Sequence, residues 1–101
     1  MATAYLHEYA DVAYANSAAV QIGAEPANAD QTITTGAAAT ASAAFNTNTR
    51  VVMVSTPADQ AVACLFGAAP VATVTNCRLP ANSVCFFGVK PGHKVSLIDV
   101  D

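Results

Sequence analysis

The sequence predicts an all-β fold, a small antiparallel β-sandwich of jelly-roll-like type, and three observations carry that expectation. The strong segments have a period of two: RVVMVST at 50–56, QAVACLFG at 60–67 and SVCFFGV at 83–89 put apolar, β-branched or aromatic side chains on alternating faces. Gly and Pro punctuate the chain between them, and strands recurring roughly every 8 to 12 residues with such punctuation mark an antiparallel sandwich or barrel. No internal repeat is evident, which argues against a solenoid or propeller.

A chain of 101 residues is read as one domain, 1–101, and folding at that size buries only roughly 60 to 68% of the unfolded surface. The hydrophobic fraction is 53%, but alanine supplies much of it and contributes little buried area, so the core is thin and self-association is favoured. Only 11% of residues are charged, which leaves a quiet surface of Ala, Ser, Thr, Asn and Gln, suited to lying against other protein. With a net charge of -3 and its four cations, Arg50, Arg78, Lys90 and Lys94, scattered, the chain lacks the basic cluster that nucleic acid requires. No apolar stretch is long enough for a membrane span, and MATAYLHEYAD lacks the cationic and apolar regions of a signal peptide, so synthesis in the cytoplasm without export is expected.

Residues 1–30 are read as an arm or edge-strand segment. Tyr5, Leu6, Tyr9, Val12 and Ala13 fall at helical spacing, yet Thr3, Tyr5 and His7 alternate with Ala4, Leu6 and Glu8 and no N-cap precedes them, so a strand is preferred. Val20 and Ile22 form a short strand that breaks at Gly23 and Pro26. In 31–49, Thr32-Ile33-Thr34 and Thr40 to Phe45 are two short strands, the second returning against the first after Gly36. RVVMVST is apolar on both faces, Val52 and Val54 on one and Val51 and Met53 on the other, which predicts a central strand. After the turn at Thr56-Pro57-Ala58-Asp59, Val62, Cys64 and Phe66 face one way and Ala61, Ala63 and Leu65 the other. Val71 to Thr75 is a weaker strand. The last segment, RLPANSVCFFGVKPGHKVSLI, reads as a β-hairpin: a corner at Leu79-Pro80-Ala81-Asn82, a strand with Phe86 and Phe87 on opposite faces, a type II turn at Pro91-Gly92, and a final strand over Val95 to Ile98.

No constellation with enzymatic spacing emerges, and the chain is read as non-enzymatic with no cofactor. A hairpin brings Cys85 towards His93, but Cys85 stands in a strand between Val84 and Phe86, where a thiol packs rather than reacts. His7 and Glu8 have no further ligands at zinc or calcium spacing, so no metal is assigned. The isolated glycines write no phosphate cradle. Cys64, Cys77 and Cys85 are odd in number with no C-x-x-C pair, so reduced, buried core thiols are expected. Asp99 and Asp101 read as a solvated strand end within reach of Lys90 or Lys94. Arg50 and Arg78 read as exposed strand caps, with an interface role if either clamps a carboxylate of a neighbouring chain. Since residues 51–54 and 61–66 are apolar on both faces, a dimer or trimer with Met53, Leu65 or Phe86 near the contact is expected.

The segments FNTNTRVVMVST, ADQAVACLFGAAPVAT and RLPANSVCFFGVKPGHKVSLI, spanning 45–98, with EPANADQTITTG in the first half, resemble a group of short proteins encoded among the virion genes of tailed bacteriophages. The shared features are a Phe-Gly that closes one strand, the Leu-Pro-Ala-Asn corner and the Pro-Gly turn, all structural punctuation. The resemblance implies a small β-sandwich accessory protein of the virion, of the decoration or cement type, held on the capsid surface by the major capsid protein. It carries over no catalytic residue. A carbohydrate- or receptor-binding module and a head-to-tail or tail component are the alternatives.

Overall fold

The structure, a computed structural model, describes residues 2–15, 18–23 and 25–100, and the side chains of all of these except 13–15 and 18–22. Its elements are β1 (Ala2–Tyr9), β2 (Val12–Ala15), β3 (Ala18–Gly23), β4 (Ala29–Thr35), β5 (Thr40–Ala41), β6 (Val51–Ser55), β7 (Ala61–Gly67), β8 (Cys77–Leu79), β9 (Val84–Gly88) and β10 (Lys94–Val100), with no helix among the described residues. They form two four-stranded antiparallel sheets, ordered β4-β1-β6-β9 and β5-β10-β7-β8, and a separate β2-β3 hairpin.

Alternation in each strand decides what the two sheets enclose. β1 turns Ala4 and Leu6 inward beside Val52 and Val54 of β6, and from the second sheet Val62, Cys64, Leu79, Val95 and Leu97 face them in one core. At one end of the sandwich the core is aromatic: the Phe66 ring lies 4.9 Å from that of Phe87 and 6.4 Å from that of Phe45. The loops at this end are stitched together, with Phe45 N donating to His93 O at 2.8 Å and Gly92 N to Phe45 O at 3.2 Å.

The all-β sandwich expected from the sequence is therefore present, and RVVMVST is the central strand foreseen for it. Several pairings differ. β1 is not an edge strand: it lies between β4 and β6, because its inward residues Ala4 and Leu6 and its outward Tyr5 and His7 match residues on both neighbours. The segment from Thr40 to Phe45 does not return against β4. It runs beside β10, where Thr40 and Ala41 pair with Leu97 and Ser96 and Ser42 N donates to Val95 O at 2.8 Å.

The final segment is not a hairpin. The Pro91-Gly92 turn forms as expected, with Gly92 at φ +80° and His93 N donating to Lys90 O at 3.2 Å. Yet it carries the chain from one sheet to the other, since β9 pairs with β6 and β10 with β7 and β5. The turn chemistry is local, whereas both flanking strands find longer apolar partners elsewhere. Leu79 to Asn82 is likewise a corner between sheets, with Asn82 at φ +55° and its N–H donating to Pro57 O at 2.8 Å. Residues 71–75 form a loop rather than a strand: Ala72 is buried on the outer face of the second sheet, its N–H donating to Ser96 Oγ at 3.0 Å, while Val71 and Val74 are exposed. The N-terminal strand is split into β1 and β2, and the short strand expected at Val20 and Ile22 is present as β3, ending at Gly23.

Candidate functional site

The outer face of the first sheet is the most distinctive surface of the molecule, and strand register builds it row by row. Thr32, Tyr5, Ser55 and Val84 are aligned across β4, β1, β6 and β9, and none is charged. Tyr5 is 50% exposed and Val84 56%, so a tyrosine ring and a valine stand in water in a row otherwise made of the hydroxyl-bearing Thr32 and Ser55. The next row is Asp30, His7, Met53 and Phe86. Beyond it Tyr9 is only 4% exposed although it points outward, because Gly23 of the hairpin lies against its ring.

A depression of about 490 Å³ opens beside these rows, lined by His7, Tyr9, Glu25, Asp30 and Met53 among others. Its polar groups satisfy each other. His7 Nδ1 lies 2.5 Å from Asp30 Oδ1, and Tyr9 OH donates to Glu25 Oε2 at 3.1 Å. Burial, then the hydrogen bond to Glu25 and the charges of Glu25 and Asp30, raise the Tyr9 pKa above its ordinary value. The hydroxyl thus stays protonated and holds the 25–28 loop onto β1. The arrangement braces the sheet and supplies no nucleophile from its lining.

The sheet ends at β9, whose far edge is open among the described residues. Thr56 N donates to Ser83 O and Val89 N to Arg50 O, both at 2.9 Å, so the odd-numbered residues of this strand bond to β6. Val84, Phe86 and Gly88 therefore aim their N–H and C=O groups away from the sheet. No Lys, Pro or other charge interrupts VCFFG, so this edge lacks the usual devices that discourage pairing with a further strand.

The residues expected at an interface do not converge on one patch. Met53 and Phe86 are cross-strand neighbours on the outer face of the first sheet, and Phe86 packs 6.5 Å from Tyr9. Leu65, 36% exposed, and Arg78 lie on the outer face of the second sheet, opposite Ser96 and Ala63. Arg78 is the middle residue of β8 rather than a strand cap, and Arg50 is exposed just before β6. His93 lies at the Pro91-Gly92 corner beside Phe66 and Lys90, away from the strand position of Cys85. Asp99 meets neither Lys90 nor Lys94: it lines a small depression with Asp59 and Gln60, and its backbone N–H donates to Gly36 O at 2.9 Å. Asp101 lies outside the described residues.

One further group was not foreseen. Glu8 is 2% exposed and closes the aromatic end of the sandwich: Asn46 N at 2.7 Å and Thr49 Oγ1 at 2.8 Å donate to Oε1, and Gln31 Nε2 at 2.8 Å donates to Oε2. Its signal in the sequence was a carboxylate in phase with Ala4 and Leu6. It cannot share a ligand with His7, which points to the opposite face. Among the described residues no group of three or more His, Cys, Asp or Glu is placed to hold a metal ion. The cysteines were expected as reduced thiols buried in the core. All are free, but only Cys64 is fully buried; Cys85 is half-buried and Cys77 is exposed, because β8 is a three-residue edge strand.

No helix among the described residues is long and apolar enough to cross a membrane. No protein family, curated protein or solved structure matches the chain.

Proposed function

We propose that this chain is a structural virion protein of a tailed bacteriophage, a decoration or cement protein that binds the outside of the assembled capsid and stabilises the head. The single observation that carries the reading is the uncharged row on the outer face of the first sheet, where Tyr5 and Val84 stand exposed in line with Thr32 and Ser55, beside the edge of β9 that is open among the described residues. A hydroxyl-bearing row with two apolar anchors is suited to lying against protein, and many such contacts repeated by lattice symmetry add up to strong binding. The resemblance of 45–98 to virion proteins of tailed phages points the same way. In this reading the sandwich is a jelly-roll-like one, the chain has no enzymatic role and no cofactor, its partner is the major capsid protein, and it is made in the host cytoplasm and ends on the capsid surface.

Exposed Tyr5 also favours a second reading, a carbohydrate- or receptor-binding module, because one aromatic ring on a polar sheet is a minimal platform for a sugar face. A head-to-tail or tail position would use the same surface against a different neighbour. The test is co-sedimentation of purified protein with undecorated heads. Binding at saturating stoichiometry, weakened at least tenfold by Tyr5→Asp, supports the decoration role. Folded protein that stays in the supernatant overturns it, and binding of the same protein to a glycan array would then favour the second reading.

A further inference from the structure

Cysteines at 64, 77 and 85 are distant in sequence, yet two of them meet across one strand pair. Cys64 of β7 and Cys77 of β8 stand directly opposite each other in antiparallel register. Opposed Cα atoms in such a pair are roughly 4.5 or 5.5 Å apart, and both separations fall inside the span of roughly 4.4 to 6.8 Å that a disulfide bridges. Opposed residues also send their side chains to the same side of the sheet, so the two sulfurs face each other, and closing the bond asks only that the Cβ atoms draw in from roughly 4.5 to 5.5 Å to the roughly 3.5 to 4.5 Å of a disulfide.

Their surroundings differ in a way that gives each a role. Cys77 is exposed and meets solutes directly, whereas Cys64 is 3% exposed and lies in the core beside Leu97 and Leu79. Burial pushes the Cys64 thiol up to about 12, and the neighbouring thiols of Cys77 and Cys85 add to the shift. Cys64 is thus inert towards solutes at neutral pH and reacts only with a sulfur delivered next to it.

We propose that Cys64 and Cys77 form a reversible redox site, in which Cys77 is the sulfur that meets a small disulfide such as oxidised glutathione and Cys64 is the sulfur that resolves it. The Cys77 thiolate attacks one sulfur of the glutathione disulfide; that S–S bond breaks, one glutathione leaves as thiolate, and Cys77 carries the other. Cys64 then gives up its proton to water or to the departing thiolate and attacks the Cys77 sulfur. The bond from Cys77 to glutathione breaks and the second glutathione leaves as thiolate and takes up a proton. Two protein thiols lose two electrons and one glutathione disulfide becomes two glutathione thiols.

The bond would close residues 64–77 into a ring. That ring contains the loop that sets Ala72 on Ser96, and it would tie the short edge strand β8 to interior strand β7. Cys85, half-buried on the neighbouring strand of the other sheet, faces no cysteine in register and takes no part.

The test is incubation of the full-length, folded protein with glutathione mixtures of rising oxidised fraction, followed by intact mass and peptide mapping without reduction. A glutathione adduct on Cys77 that gives way to a chain lighter by two hydrogens, with a peptide joining Cys64 to Cys77, is the expected result, and Cys85→Ala should leave it unchanged. In Cys64→Ala the adduct should persist. The proposal is overturned if the folded wild-type protein, in fully oxidised glutathione, retains three free thiols, stops at an adduct, bridges Cys85, or links only between chains. Mapping of the wild-type protein decides the matter even if Cys64→Ala fails to fold.

Discussion

Glu8 shows how much one side chain can hold in a thin core. A carboxylate that is 2% exposed would be strongly unfavourable without compensation, and three donors from two different segments supply it. Those donors are at once the anchor of the 43–49 loop, because Gln31 also accepts from Ala43 N at 2.9 Å. Glu8→Ala leaves Asn46 N–H and the Thr49 hydroxyl facing apolar surface, so it should destabilise by about 3 kcal/mol or more. Glu8→Gln keeps an acceptor for both and turns only one amide against Gln31, for about 1 to 2 kcal/mol. Urea denaturation of the two variants measures the difference; equal losses would mean that the packing of the side chain, and not its acceptors, is what matters.

Among the elements, the β2-β3 hairpin is the least expected, and its attachment rests on a contact that only glycine permits. A Cβ on Gly23 would fall inside the Tyr9 ring. That ring cannot swing aside easily, since it is packed on Phe86 and its hydroxyl is held by Glu25. Gly23→Ala should therefore displace the hairpin rather than the tyrosine, at about 1 to 3 kcal/mol. Limited proteolysis should show faster cleavage within 10–24 while the sandwich remains resistant. Unchanged cleavage would show that the hairpin does not depend on this contact.

For the whole molecule, self-association is a prediction, and the edge of β9 that is open among the described residues is where it is expected. Two copies meeting there in antiparallel fashion about Phe86 would place Val84 opposite Gly88 of the other copy, and each of these residues has its N–H and C=O already directed outward. The lone charge nearby, Lys90, would face Asn82 and meet no like charge. Of the dimer and trimer expected from composition, the edge favours the dimer. Multi-angle light scattering should give twice the chain mass of 10.2 kDa at high micromolar concentration, and Val84→Lys should return the chain to a monomer. A wild-type monomer under those conditions would show that this edge does not drive self-association.

Period-two segments, proline and glycine corners and the central position of RVVMVST were all legible in the sequence, because side-chain alternation and turn conformation are fixed by a few adjacent residues. Even the burial of Glu8 was written in its phase with Ala4 and Leu6. Which strand pairs with which was not legible. The Pro91-Gly92 turn has the same local chemistry whether its flanking strands join each other or part to two sheets, and that choice rests on the apolar faces of β6, β7 and β10, brought together from across the chain. For the same reason the direct opposition of Cys64 and Cys77, the row from Thr32 to Val84 and the free edge of β9 exist only in the folded molecule: each is a relation between strands, and register between distant strands is set by packing the core as a whole.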